Sequence, residues 1–268
     1  MDDNSASTYG RWSGRNADKD TLRSEIWSLL ETRAASVGSV WSRIPNFVGA
    51  EQAAQRLAAL PIWQQAKVVK SNPDPPQIPV RLRALQQGKL LYMPVPELVK
   101  DFPFVELDPV DLQNRGIPFE LVADSAGAVE HGRKVNFHEM QPYDLVVVGC
   151  VAVTRNGGRT GKGGGFADLE LGIFREIGLV KPDTPIVTTV HSLQVVDNDR
   201  VVMVAHDSAL NWIITPDEVI ETRTPYPQPH GVDWKAVQPD QYQNIPFLTT
   251  LKDSLTPGHE PASEEAES

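Results

Sequence analysis

Residues Gly157-Gly158-Arg159-Thr160-Gly161-Lys162-Gly163-Gly164-Gly165-Phe166-Ala167-Asp168 hold six glycines, two cations and one carboxylate. Glycine loses more backbone freedom on folding than any other residue, so this density implies a ligand that offsets the loss. Without Cβ atoms, successive N–H groups can turn inward and line a nest for an anion. Downstream, apolar residues at 169, 173, 174 and 177 follow a helical spacing. The loop is therefore expected to end on a helix N-terminus, which carries about half a positive charge. Arg159 and Lys162 add two full charges. Asp168 would oppose an anion unless it holds a bridging metal, and Mg²⁺ is the usual bridge to phosphate. The ligand these residues fit is a nucleotide polyphosphate. A plain glycine hinge would explain neither the cations nor the aspartate.

Two other phosphate motifs fail on the letters. A P-loop needs Ser or Thr after Gly-Lys, and Gly163 follows Lys162. The dinucleotide fingerprint needs a small residue where Phe166 stands. Near the N-terminus, Lys19 and Arg23 lie four apart on an expected helix, so both can meet one anion.

The elements around these residues alternate. Asp18 can cap a helix with an apolar stripe at Leu22, Ile26, Leu29 and Leu30. A second helix is expected from about Ala50 to Leu60, and a third from Val80 to Gln87. Lys67 to Lys70 and Lys89 to Met93 read as strands, separated by the Pro-rich loop Asn72 to Pro79. The strongest strand is expected over Asp144 to Val153; Ile186 to Val190 and Val201 to Val204 are shorter ones. Apolar runs without alternation are buried on both faces, as in parallel sheets covered by helices. The fold class is thus α/β: a doubly wound, mostly parallel sheet with helices on both faces. Residues 1–17 read as a disordered tail, 18–243 as one domain, and 244–268 as an extension ending in a tail with four glutamates.

With 25 basic and 35 acidic residues the net charge is −10, so no global field draws nucleic acid or anionic lipid. No apolar stretch approaches the ~20 residues of a membrane helix, and residues 1–10 lack the apolar core of a secretory leader. Cys150 is the single cysteine, inside an apolar run, and reads as a buried core residue. These features fit a cytoplasmic protein, monomer or homodimer, with a small-molecule substrate and neither nucleic-acid nor membrane partners. The tryptophans at 12, 27, 41 and 63 read as packing residues. His131, His138, His191 and His206 do not fall at zinc-site spacings.

The glycine loop after a hydrophobic strand, the Lys19-x-x-x-Arg23 pair and the late His206-Asp207 before Ile213-Ile214-Thr215 together resemble the 5-formyltetrahydrofolate cyclo-ligases. The resemblance runs from about Lys19 to Thr215. It implies that ATP and Mg²⁺ are cofactors. Lys19, Arg23, Arg159 and Lys162 would neutralise phosphates. Thr160, Gly161, Gly163, Gly164, Gly165 and Phe166 would cradle the nucleotide, with Phe166 also facing substrate. Asp168 and Asp207 would hold the metal. The implied reaction sends the 5-formyl oxygen to the γ-phosphate; N10 then closes the ring to 5,10-methenyltetrahydrofolate and phosphate leaves.

The sequence departs from that family on the folate side. Where the family has Pro-x-Glu-x-x-Thr, with the glutamate holding the pterin, this chain reads Asn72-Pro73-Asp74-Pro75-Pro76-Gln77-Ile78-Pro79. Asp74 and Gln77 are the candidates to take that glutamate's place against the pterin. Ala167 stands for a second aromatic, and Asn211 for a second aspartate. A nucleotide-binding accessory protein without folate turnover, and an ATP-dependent enzyme on another small molecule, are the competing readings.

Overall fold

The computed structural model describes residues 11–255; the expected acidic tail, 257–268, and the first ten residues lie outside them. Eleven strands can be followed among the described residues. Eight of them, β1 (Val68–Ser71), β2 (Leu90–Pro94), β3 (Phe104–Leu107), β4 (Arg133–Val135), β5 (Leu145–Val147), β8 (Ile186–Thr189), β10 (Trp212–Ile214) and β11 (Val219–Glu221), form one sheet in the order β11-β10-β8-β5-β1-β2-β3-β4. The five central strands are parallel, β11 at one edge and β3 at the other run against them, and the outermost β4 pairs antiparallel with β3. The remaining three, β6 (Ala152–Thr154), β7 (Arg159–Thr160) and β9 (Val195–Val196), make a small second sheet.

Successive side chains of a strand face opposite sides, and here both sides are apolar. Leu145 and Val147, with Val187 and Ile214, face a core covered by α2 (Ala50–Ala58), α3 (Pro61–Gln65), α4 (Ile78–Gln86), α6 (Phe119–Ala123) and α7 (Ser125–His131). Val146, Ile186 and Ile213 face the other core, closed by α8 (Phe166–Glu176), α9 (Pro239–Asn244) and α10 (Leu248–Leu255). The doubly wound reading holds. α1 (Ala17–Thr32) packs Leu22, Ile26, Trp27 and Leu30 into a third cluster, against Val151 and Ala152 of the small sheet. The short α5 (Pro109–Asn114) opens with Pro109 after Asp108, whose carboxylate caps the Val110 N–H at 2.8 Å.

Three expectations are corrected. The run Asp144 to Val153 is not one strand. It supplies β5, leaves the main sheet at Gly149 and enters the small sheet as β6. A Cβ on Gly149 would stand 2.9 Å from Ile44 and 3.1 Å from an Asp74 oxygen, so the chain bends where only glycine fits. Burial made the run apolar throughout, but three different cores do the burying. Val201 to Val204 forms no strand; Val202 and Val204 are exposed, and the segment lies as a loop over β7. Asn16, not Asp18, caps α1, its side chain accepting the Lys19 N–H at 2.9 Å.

Chain order reverses between β1 and β5, since β2 follows on one side and β8 and β10 on the other. In an open parallel sheet that switch point leaves a crevice beyond the carboxyl ends of the two strands. Here those ends lead into Asn72-Pro73-Asp74 and into Gly149.

Candidate functional site

A cavity of about 520 Å³ occupies that crevice. Its walls include Asp74 and Gly149 from the strand ends, Lys19 and Arg23 from α1, and the whole loop Arg159 to Asp168. His206, Asp207 and Glu170 also line it. The size and the mixture of apolar and polar groups suit a small-molecule site.

The loop is built to show N–H groups. It leaves β7, passes through Gly163 at φ +110°, and ends on α8, whose N-cap Gly165 is left-handed. At Gly163 a Cβ would also sit 2.8 Å from the Trp12 Cβ, so no other residue fits. From Gly161 through Asp168, no backbone N–H donates to an acceptor among the described residues. The carbonyls are committed instead. Arg23 Nε donates to Gly161 O at 2.7 Å, Arg15 Nη1 to Gly164 O at 2.8 Å and to Gly163 O at 3.3 Å, and Gln241 Nε2 to Gly164 O at 3.1 Å. Donors held from behind by their own carbonyls, at the start of an 11-residue helix, form an anion seat.

The charged residues divide into tied and available groups. Arg159 is buried, with Nη2 donating to Asp168 Oδ1 and Nε to Ser208 O at 2.8 Å. Burial alone would lower its pKa; Asp168, with Cys150 and Asp207, reverses that and drives it upward. Arg23 also pairs with Asp20 at 2.6 Å, and Lys19 pairs with Asp207. Lys162 keeps a loose partner, Asp74, at 3.9 Å. It is the loop cation free to turn to a ligand.

Two carboxylates each keep one oxygen without a partner among the described residues. Asp168 uses Oδ1 for Arg159 and for the Ser208 N–H at 2.8 Å, leaving Oδ2. Asp207 uses Oδ2 for Lys19 and for the Val204 N–H at 2.9 Å, leaving Oδ1. No cluster of three metal-ligating side chains occurs among the described residues. Mg²⁺ does not need one, because it is commonly held by one or two carboxylates, waters and substrate phosphates. The donor set of Asp168 and Asp207 fits that pattern.

The remaining candidates separate. Asp74 lines the cavity, whereas Gln77 does not; its side chain is fully buried with both amide atoms unpaired. Burial pushes the Asp74 carboxyl up, against Lys162, Arg81 and Lys70. A carboxyl raised above its unfolded value favours the fold at pH below that value and loses this contribution as pH rises. Asp74→Asn is therefore expected to gain stability over wild type as pH climbs from about 4 to 7. Parallel melting curves across that range check it; a difference that ignores pH would place the carboxylate in water.

Asn211, where a second aspartate was awaited, is structural: its Oδ1 accepts the Ile186 N–H at 2.8 Å between β8 and β10. Cys150 is buried, and burial raises its pKa. Trp27 and Trp63 are core residues, and Trp41 packs against Trp27 at 5.4 Å between ring centroids, the planes tilted by 53°.

Residues 15–216 match the model of the 5-formyltetrahydrofolate cyclo-ligase family. This chain belongs to that family. Among curated relatives, methenyltetrahydrofolate synthase domain-containing proteins of Bos taurus and Mus musculus are 36% and 37% identical over 87% and 88% of the chain. The chain spans 62% and 63% of those two proteins' lengths. The NMR structure of Aquifex aeolicus 5,10-methenyltetrahydrofolate synthetase covers 82% of this chain, and 98% of its own, at 17% identity and a TM-score of 0.47.

Part of the site lies outside the family match. Val232, Asp233, Val237 and Gln241, all beyond residue 216, line the cavity. Arg15 Nη2 bridges to Asp240 at 2.5 Å while Nη1 grips the glycine loop, and the Trp12 ring meets Phe166 edge-on at 5.5 Å. Residues 1–17 were expected to be tail; of these, Trp12 and Arg15 touch the glycine loop, while Asn16 caps α1 and Ala17 opens it. Ile245 and Leu248, assigned to the extension, sit in the main core. Glu170 was not singled out either, although a glutamate just inside an amphipathic helix, on its buried side, was a readable anomaly.

Proposed function

We propose that this chain is an ATP- and Mg²⁺-dependent cyclo-ligase converting 5-formyltetrahydrofolate to 5,10-methenyltetrahydrofolate, ADP and phosphate. The observation that carries the reading is the set of unpaired N–H groups from Gly161 to Asp168, facing a cavity that Lys19, Arg23 and Lys162 also line. Phosphoryl transfer asks a protein mainly for positioning and charge neutralisation. The loop N–H groups would seat the phosphates, and Lys162 would swing from Asp74 to join them. Asp168 Oδ2 and Asp207 Oδ1 would hold Mg²⁺, which supplies charge neutralisation across the phosphate oxygens. Phe166 would offer an apolar ring to the second substrate. Among the described residues no helix is long and apolar enough to cross a membrane.

Turnover with ATP, Mg²⁺ and 5-formyltetrahydrofolate, followed by the absorbance of the methenyl product, tests the assignment. Product that requires both ATP and Mg²⁺ is expected. Bound Mg²⁺–ATP without product would favour the second reading, an ATP-dependent enzyme on another small molecule. The absence of any glutamate from residues 72–79 favours that reading.

A further inference from the structure

Glu170 has a role to be explained. It sits on α8, 3% exposed, and lines the cavity. Oε2 accepts from Lys70 Nζ at 2.6 Å; Lys70 is fully buried on β1 and also donates to Asn72 Oδ1 at 2.6 Å. Oε1 has no hydrogen-bond partner among the described residues. Burying a carboxylate is costly even when it is paired, and a pair that needs only Lys70 could face the core. This one turns its spare oxygen to the ligand space.

The strand β1 sets its place in the cavity. Lys70, which holds Glu170 Oε2, sits on β1, and Asn72 and Asp74 follow at the carboxyl end of that strand. Glu170 and Asp74 both line the cavity, which Lys19, Arg23 and the glycine loop line as well. Lys162 reaches to within 3.9 Å of Asp74 and would leave it for a phosphate. A ligand that meets both the loop and the two carboxylates needs phosphates for the first and a donor-bearing edge for the second.

We propose that Glu170 is a specificity-determining residue, its Oε1 accepting from the N–H edge of a planar amino-substituted nitrogen heterocycle, with Asp74 taking an adjacent donor. The proposal rests on the assignment of this cavity as the substrate site. A carboxylate beside two neighbouring donors forms charge-assisted bonds to both, whereas a ring carbonyl in the same place brings two acceptors together. Glu170 would then provide from α8 a recognition carboxylate that the segment 72–79 offers only as the shorter Asp74.

The test uses the full chain and two ring probes, 2-amino-4-oxopteridine and its 2,4-dioxo analogue, titrated by calorimetry with and without Mg²⁺–ATP. Wild type is expected to bind the amino probe at least tenfold more tightly than the dioxo probe, the scale of one hydrogen bond to a charged group. Glu170→Gln should weaken the amino probe at least tenfold and erase most of the preference, with Mg²⁺–ATP affinity unchanged. If Glu170→Gln fails to fold, Lys70→Met combined with Glu170→Gln removes the stranded cation and gives the same readout. Equal binding of the two probes, no binding of the amino probe, or an amino-probe affinity indifferent to Glu170 would overturn the proposal. Amino-probe selectivity without turnover of 5-formyltetrahydrofolate would instead retire the cyclo-ligase assignment and leave this one standing.

Discussion

Arg159→Met is expected to lower the melting temperature by on the order of 10 °C, with loss of fold preceding any specific loss of nucleotide binding. From the sequence Arg159 is a phosphate-neutralising cation. In the structure its guanidinium is buried and fastens the glycine loop to the 204–208 loop through Asp168 and Ser208. Removing one partner of a buried ion pair typically costs about 3–5 kcal/mol, because the other charge is stranded. For a domain of this size each kcal/mol shifts melting by about 2–4 °C. A variant that melts within about 2 °C of wild type but loses nucleotide would return Arg159 to the anion.

Lys70→Met should destabilise the protein by a similar ~3–5 kcal/mol at neutral pH, and here pH gives the diagnosis. Lys70 is fully buried on β1 and pairs with Glu170 at 2.6 Å. Burial already holds the Glu170 carboxyl above its ordinary value, with Lys70 as the largest opposing influence. Without Lys70 the carboxyl rises further. A raised carboxyl favours the fold below its unfolded pKa, about 4.3, and that advantage is lost as pH rises through the folded value. The gap between variant and wild type should therefore be narrow near pH 4 and widest above about pH 7. Urea unfolding at both ends of the range measures it. A gap of equal size throughout would mean that the Glu170 carboxyl titrates alike with and without Lys70, another cation having taken its place. Replacing both partners by apolar residues should recover much of the loss, since a buried pair often does no better than a well-packed hydrophobic substitute.

Much of this fold was legible because its core strands are buried on both faces. Valine-rich stretches such as Val146 to Val148 then read as continuous apolar runs, and the helices between them keep their own period. The glycine loop was legible for a different reason, that its composition makes little sense without an anion. What sequence hid was partnership. Nothing in the letters says that Arg159 faces Asp168, that Lys19 reaches across 188 positions to Asp207, or that Arg15 and Gln241 hold the loop's carbonyls. Those contacts are set by chain crossings between distant segments. The break at Gly149 was hidden because apolarity reports burial and not which core does the burying. Residues 101–143 carry short elements whose caps, such as Asp108 before Pro109, were readable one by one but specify no topology.

The central claim is that a nucleotide polyphosphate sits on the loop's free N–H groups, and the most direct measurement is titration of Mg²⁺–ATP by calorimetry with melting curves alongside. The account predicts one saturable site, and at about 100 times the dissociation constant a gain near 2.7 kcal/mol in stability. It further predicts that Lys162→Ala weakens binding by roughly tenfold to a hundredfold while the unliganded protein melts as wild type does. No heat and no shift in melting at millimolar Mg²⁺–ATP would contradict it.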